Sequence, residues 1–98
     1  MKITMNPNGR RLTVALEGRL DTTTAPELEK ALKDNLEGVE GLTLDLERLD
    51  YISSAGLRVL LAAHKAMRDR GGMKVTHVNE IVGEVFDITG FADILTIE

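Results

Sequence analysis

The sequence predicts an α/β domain: a mixed, mostly parallel β-sheet with helices packed on it, in the order β-β-α-β-α-β-α-β. Three observations predict this class. Apolar residues alternate with polar ones in Leu12 to Leu16, in Leu42 to Leu46 and in Met73 to Val78, the period of half-buried strands. Amphipathic segments of helical period lie between these runs, as in parallel crossovers. A turn sequence, Asn6-Pro7-Asn8-Gly9, sits just before the first clear strand and predicts a hairpin with Met1 to Met5 as an antiparallel edge.

Each element follows from its residues. After the strand at Arg11 to Glu17, the segment Gly18-Arg19-Leu20-Asp21-Thr22-Thr23 leads to Thr24-Ala25-Pro26-Glu27. That tetrapeptide has the capping-box pattern, and Pro26 suits a first helical turn. Leu28, Ala31, Leu32 and Leu36 share one face of the helix, and Gly38 and Gly41 bound its end. Glu47 to Ile52 is expected to be a connection, because the alternation of Leu42, Leu44 and Leu46 breaks there. Ser53-Ser54-Ala55-Gly56-Leu57 opens a second helix, whose expected apolar face is Leu57, Leu60, Leu61, His64 and Met67, with Gly71-Gly72 as its stop. Asn79 is a cap for a third helix reaching about Thr89, with Ile81, Val82, Val85 and Phe86 apolar and Gly90 at its end. Ile94 to Ile97 is a last short strand.

The chain has 98 residues, which suits one domain over 1–98. Hydrophobic residues make up 43%, with only Tyr51, Phe86 and Phe91 aromatic, so aliphatic side chains must fill the core. The net charge of -4, with no basic stripe, argues against nucleic acid. There is no cysteine, which excludes disulfides and thiolate sites. No signal-peptide pattern and no long apolar run occur, so a cytoplasmic location without membrane contact is expected. No ligand spacing suggests a metal, and no glycine loop suggests a nucleotide, so no cofactor is expected.

Functional groups in α/β sheets collect where strands lead into helices. Two such connections, Gly18 to Thr24 and Glu47 to Gly56, carry polar residues that core packing does not explain. One of Ser53 and Ser54 suffices to cap the second helix. Gly56, in its first turn, costs up to ~1 kcal/mol relative to alanine. Such a glycine would leave the helix end open to close approach by a backbone or a phosphate. Spacing alone also fits the plain alternative that both serines are capping residues.

Tyr51-Ile-Ser-Ser-Ala-Gly-Leu-Arg-Val-Leu-Leu61 resembles the signature of STAS domains of the anti-sigma factor antagonist group. Leu16-Glu-Gly-Arg-Leu-Asp21, the Thr24-Ala-Pro-Glu-Leu28 helix start and Thr89-Gly90-Phe91 resemble further blocks of the same family, in the same order along the whole chain. The resemblance implies a STAS-like fold and a non-enzymatic partner switch. In such a switch the unphosphorylated antagonist binds an anti-sigma factor that is also a serine kinase. Phosphorylation releases the kinase, and a serine phosphatase resets the cycle. Matched residue by residue, the acceptor falls on Ser54. The acidic residue that precedes it in the family pattern is Ser53 here, which makes Ser53 a rival acceptor. The same matching puts Asp21, Thr22, Ser53, Ala55, Gly56, Leu57 and Arg58 in the partner-binding surface.

Other readings meet obstacles. A nucleophilic Ser54 needs a base, yet His64 lies some ten residues along the same helix, roughly 15 Å away by helical rise. His77 falls in a strand, and no Gly-x-Ser-x-Gly elbow is present. Asp21, Asp45 and Asp50 lack the lysine at a strand end that a phosphate-receiving aspartate site requires, so no catalytic residue is expected. The alternative to a partner switch is a STAS scaffold, or an accessory subunit of a larger signalling or transport assembly.

Overall fold

A computed structural model describes all residues from Met1 to Glu98. Its elements are β1 (Lys2–Asn8), β2 (Arg11–Leu20), α1 (Ala25–Asn35), β3 (Leu42–Ile52), α2 (Ser54–Met67), β4 (Met73–Thr76), α3 (Glu80–Thr89) and β5 (Thr96–Ile97). A short 3-10 turn, Phe91–Asp93, joins α3 to β5. The five strands form one sheet in the order β1-β2-β3-β4-β5. The β1–β2 pair is antiparallel, while β2–β3, β3–β4 and β4–β5 are parallel. Both the expected class and the expected element order describe this sheet.

One face of the sheet carries the core. Leu12, Val14, Leu16, Leu42, Leu44, Leu46, Met73 and Val75 are all buried there under the helices. The intervening Thr13, Glu17, Thr43, Asp45, Lys74 and Thr76 are exposed or half-buried on the opposite face. A strictly alternating pattern of this kind fits a sheet covered on one side only. The helices add Leu28 and Leu32 from α1, Leu57, Val59, Leu60, Ala63 and Met67 from α2, and Val82 and Phe86 from α3. No helix is long and apolar enough to cross a membrane.

The structure departs from the sequence expectation at several places. Glu47 to Ile52 is not a connection but the second half of β3. Its buried residues run Leu46, Leu49, Ile52, a spacing of three, because the β2–β3 ladder shifts register between Ala15 and Glu17 and again between Gly18 and Arg19. Such bulges add residues to one strand and erase the period that marks it. The buried side of α2 includes Val59 and Ala63, whereas Leu61 and His64 are only half-buried. Helix α2 therefore packs with its face rotated from the expected one. On α3, Ile81 is 59% exposed rather than apolar-facing. Strand β4, expected to reach Val78, stops at Thr76, where His77 adopts φ 56, and the last strand shortens to Thr96–Ile97.

Two of the helix termini follow the expected chemistry closely. Asn79 caps α3, its side chain accepting a hydrogen bond from Val82 N–H at 2.9 Å. Gly90 ends the same helix at φ 81, a left-handed conformation that glycine adopts without a steric penalty.

Candidate functional site

Strands β2 and β3 end side by side, and this pairing builds the site. Leu20 lies opposite Ile52 in the ladder, and Ser53 N–H donates to Leu20 carbonyl at 2.9 Å. The β2–α1 turn, which begins at Asp21, is thereby placed beside the β3–α2 junction at Ser53. One pair upstream, the Arg19 guanidinium sits 4.4 Å from the centre of the Tyr51 ring, a cation–π contact across the two strands.

The β2–α1 turn is organised by Asp21. Its Oδ1 accepts from the Thr23 hydroxyl at 2.7 Å, from Thr23 N–H at 2.9 Å and from Thr24 N–H at 3.2 Å. These bonds, led by the Thr23 hydroxyl, hold the Asp21 carboxyl below its ordinary pKa of 3.8; partial burial opposes them without prevailing. Thr24 does not form the expected capping box. Its backbone is already helical, and its hydroxyl donates to Arg19 carbonyl at 2.7 Å while accepting from Asp21 N–H at 2.9 Å. The carboxylate three residues upstream has taken over the start of α1, a geometry in which negative charge also meets the positive end of the helix dipole.

The β3–α2 junction is sparer. Ser53 is the N-cap, extended at φ -99 and ψ 176, and its side chain accepts from Gly56 N–H at 3.4 Å. Ser54 is the first helical residue and is exposed. The first-turn amides of any helix lack intrahelical partners, so Ser54 stands in a local excess of donors. Arg58 follows four residues later, exposed and one turn along the helix.

Gly56 has a different role from the expected one. It is buried, and a Cβ placed there would sit 2.7 Å from Leu20 Cγ and 2.9 Å from Ile52 Cγ1. The missing side chain lets α2 press against the ends of β2 and β3. It does not open the helix end to a ligand. Leu57 is buried as well, at 5% exposure. Of the expected surface, Thr22, Ala55 and Arg58 meet in a shallow depression with Ala25, Pro26, Glu29 and Val59, and Asp21 and Ser53 adjoin it through the paired strand ends. Gly56 and Leu57 lie beneath and position the others.

Sequence reasoning missed the Arg19–Tyr51 pair, since only the parallel register brings these residues together. It also missed a cluster on the open sheet face, where Asp45, Glu47 and His77 bring ligating atoms within 4.8 Å of one another. His77 Nδ1 and Asp45 Oδ1 are 3.0 Å apart across 32 residues of sequence. That imidazole is paired on the face away from α2, and neither histidine meets the site: the Nδ1 of His64 is buried without a hydrogen-bond partner.

The model of the STAS domain matches residues 2–98, and the chain belongs to this family, within its anti-sigma factor antagonist group. BtrV of Bordetella bronchiseptica, an anti-sigma factor antagonist by name, is 39% identical over 99 residues, which spans 99% of this chain and 85% of that protein. The anti-sigma-B factor antagonist of Bacillus subtilis is 30% identical over 98 residues, spanning 99% of this chain and 90% of that protein. Among solved structures, the anti-sigma factor antagonist SpoIIAA in its unphosphorylated form superposes with a TM-score of 0.84 at 17% identity, covering 99% of this chain and 88% of that one. The phosphorylated form of Bacillus SpoIIAA superposes with a TM-score of 0.75 at 16% identity, covering 99% and 91%. At these identities the structural likeness is one of fold. The family consists of regulatory binding proteins, not enzymes.

Proposed function

We propose that this protein is an anti-sigma factor antagonist that binds a cytoplasmic anti-sigma factor with serine kinase activity and is released by phosphorylation of Ser54. The observation that carries the proposal is the division of labour at α2: Ser53 caps the helix, which leaves the Ser54 hydroxyl exposed and free of structural duty. Phosphorylation adds about -1.5 to -2 charge at neutral pH. The dipole of α2 favours that charge by up to ~1 kcal/mol at an exposed site, and Arg58 lies one turn away to pair with it. The domain thus accepts the group without refolding. SpoIIAA, solved in both phosphorylated and unphosphorylated forms, has the same fold in each.

A partner seated over Asp21, Thr22, Ser54, Ala55 and Arg58 fares differently. It would meet new bulk and a doubly negative group beside the existing Asp21 carboxylate, so contact is lost while the antagonist remains intact. A serine phosphatase then restores the binding form. Incubation with the cognate kinase and ATP, followed by phosphopeptide mapping, is expected to place one phosphate on Ser54. A label on Ser53, or none, overturns the assignment. In titrations against the kinase, Ser54→Asp is expected to bind at least about tenfold more weakly, equivalent to ~1.4 kcal/mol, while Ser54→Ala binds and is not released by ATP. Equal affinity of Ser54→Asp and the natural protein would remove charge at Ser54 as the switch.

A further inference from the structure

The exposed large hydrophobic side chains of the protein are Ile81, Ile88, Ile94 and Ile97, exposed by 59%, 86%, 46% and 39%. All of them follow Asn79. The same stretch holds Glu80, Glu84, Asp87, Asp93 and Glu98, and no lysine or arginine occurs after Lys74. Only Glu98 of these acids has an ion-pair partner, Lys74 at 3.6 Å; Glu80, Glu84, Asp87 and Asp93 have none. On the exposed side of α1, by contrast, Asp34 meets Lys30 and Glu29 meets Lys33.

The spacing on α3 orders these residues into stripes. Positions separated by four and seven share a face of a helix. Val82 and Phe86 form the buried stripe. Ile81, Val85 and Ile88 form a second stripe beside it, with Val85 half-buried. Glu80, Glu84 and Asp87 form a third, all exposed. An apolar ridge therefore runs along α3 with unpaired carboxylates along its outer flank. Single exposed hydrophobic residues are ordinary on protein surfaces; a helical stripe of them, edged by one sign of charge, is the arrangement of a docking face.

We infer that the outer face of α3 docks a cationic amphipathic helix of a partner protein, its apolar side on Ile81, Val85 and Ile88 and its lysines or arginines against Glu80, Glu84 and Asp87. Charge selects this occupant. Nucleic acid and anionic bilayers carry the same sign as the face and are repelled. A second copy of the chain would bring two sets of unpaired carboxylates into one contact. A basic helix alone satisfies both stripes, in the helix-on-helix mode of peptide recognition. The inference does not depend on Ser54, so a phosphorylated antagonist keeps this face.

The test uses the full chain and a fluorescein-labelled amphipathic helix of leucine and lysine, followed by anisotropy, with amide chemical shifts as the map. Saturable binding is expected, with shifts centred on residues 80 to 88 and affinity falling as salt is raised. Ile81→Ser with Ile88→Ser is expected to weaken binding at least about tenfold, as is Glu84→Lys with Asp87→Lys. These side chains are exposed, and circular dichroism checks that the variants remain folded. Glu27→Lys with Glu37→Lys, the same charge change on and just after α1, is expected to leave affinity within about twofold. Equal weakening by that control pair, or no loss from the isoleucine pair, would reduce the effect to general attraction and overturn the inference. So would absence of binding. Self-association of the natural protein in sedimentation, abolished by the isoleucine pair, would make a second copy the occupant instead.

Discussion

The starts of α1 and α2 sit side by side at the ends of β2 and β3, yet they are built on opposite plans. At α1 a charged carboxylate accepts three hydrogen bonds, two from Thr23 and one from Thr24 N–H, and locks the turn. At α2 a neutral serine accepts one long bond, and the next residue offers an unused hydroxyl. The first start is saturated by fixed negative charge. The second is held by a neutral cap, with no acidic residue in its first turn. The difference teaches that one residue can hold a helix start while its neighbour stays out of the capping: Ser53 caps α2, and the Ser54 side chain is exposed beside it.

The comparison breaks most severely at the third residue of each helix. Gly56→Ala gains up to ~1 kcal/mol of helix propensity but drives a methyl group into Leu20 and Ile52, and overpacking of this kind costs about 1–3 kcal/mol. A lowered midpoint in urea unfolding is expected, with a larger fall for Gly56→Val. The corresponding Glu27→Ala in α1, at an exposed position, is expected to change stability by less than about 0.5 kcal/mol.

The caps come next. Ser53→Ala is expected to destabilise by about 0.5–1 kcal/mol, the low end of N-cap losses because its bond is long. Asp21→Ala should cost more than Ser53→Ala in the same unfolding assay, since several donors lose their acceptor together. An equal or smaller loss would mean that Thr23 and Thr24 hold the turn without the carboxylate.

Acid sharpens the contrast. The Asp21 carboxyl titrates below its ordinary value of 3.8 in the folded protein, so the unfolded chain binds the proton first. Its contribution to stability is whole above that value and is lost as pH falls through the lower folded value. The stability gap between the natural protein and Asp21→Asn is therefore expected to narrow as acid unfolding proceeds below pH 3.8. A gap that stays constant across this range would separate the turn's stability from the charge of Asp21. The smallest effect is at the serine of greatest functional interest: Ser54→Ala should change the unfolding free energy by less than about 0.5 kcal/mol. A larger shift would show that Ser54 shares the capping duty.

Most of the sheet was legible because its strands obey period 2 with a single buried face. Leu12, Val14, Leu16 and Leu42, Leu44, Leu46 could face a core in no other register. The second half of β3 was not legible, because bulges opposite Glu17 and Arg19 make Leu46, Leu49 and Ile52 recur every third residue. The rotated face of α2 was hidden for a related reason: Leu61 and Val59 are equally apolar, and only packing on the sheet chooses between them. Within the site, Ser53, Ser54 and Asp21 were marked by residue type and by resemblance to the antagonist family.

The sequence by itself determined the fold class, the order of elements, the family, and the placement of a serine pair at a helix start. All of these are local or periodic properties, written in neighbouring residues. Only the tertiary structure decided that Asp21 rather than Thr24 organises α1, that Gly56 serves packing rather than ligand approach, and that Ser53 caps while Ser54 stays free. The packing role of Gly56 rests on the parallel register that sets Leu20 against Ile52. A contact between residues some thirty positions apart leaves no periodic trace in either segment, so the folded sheet alone selects it.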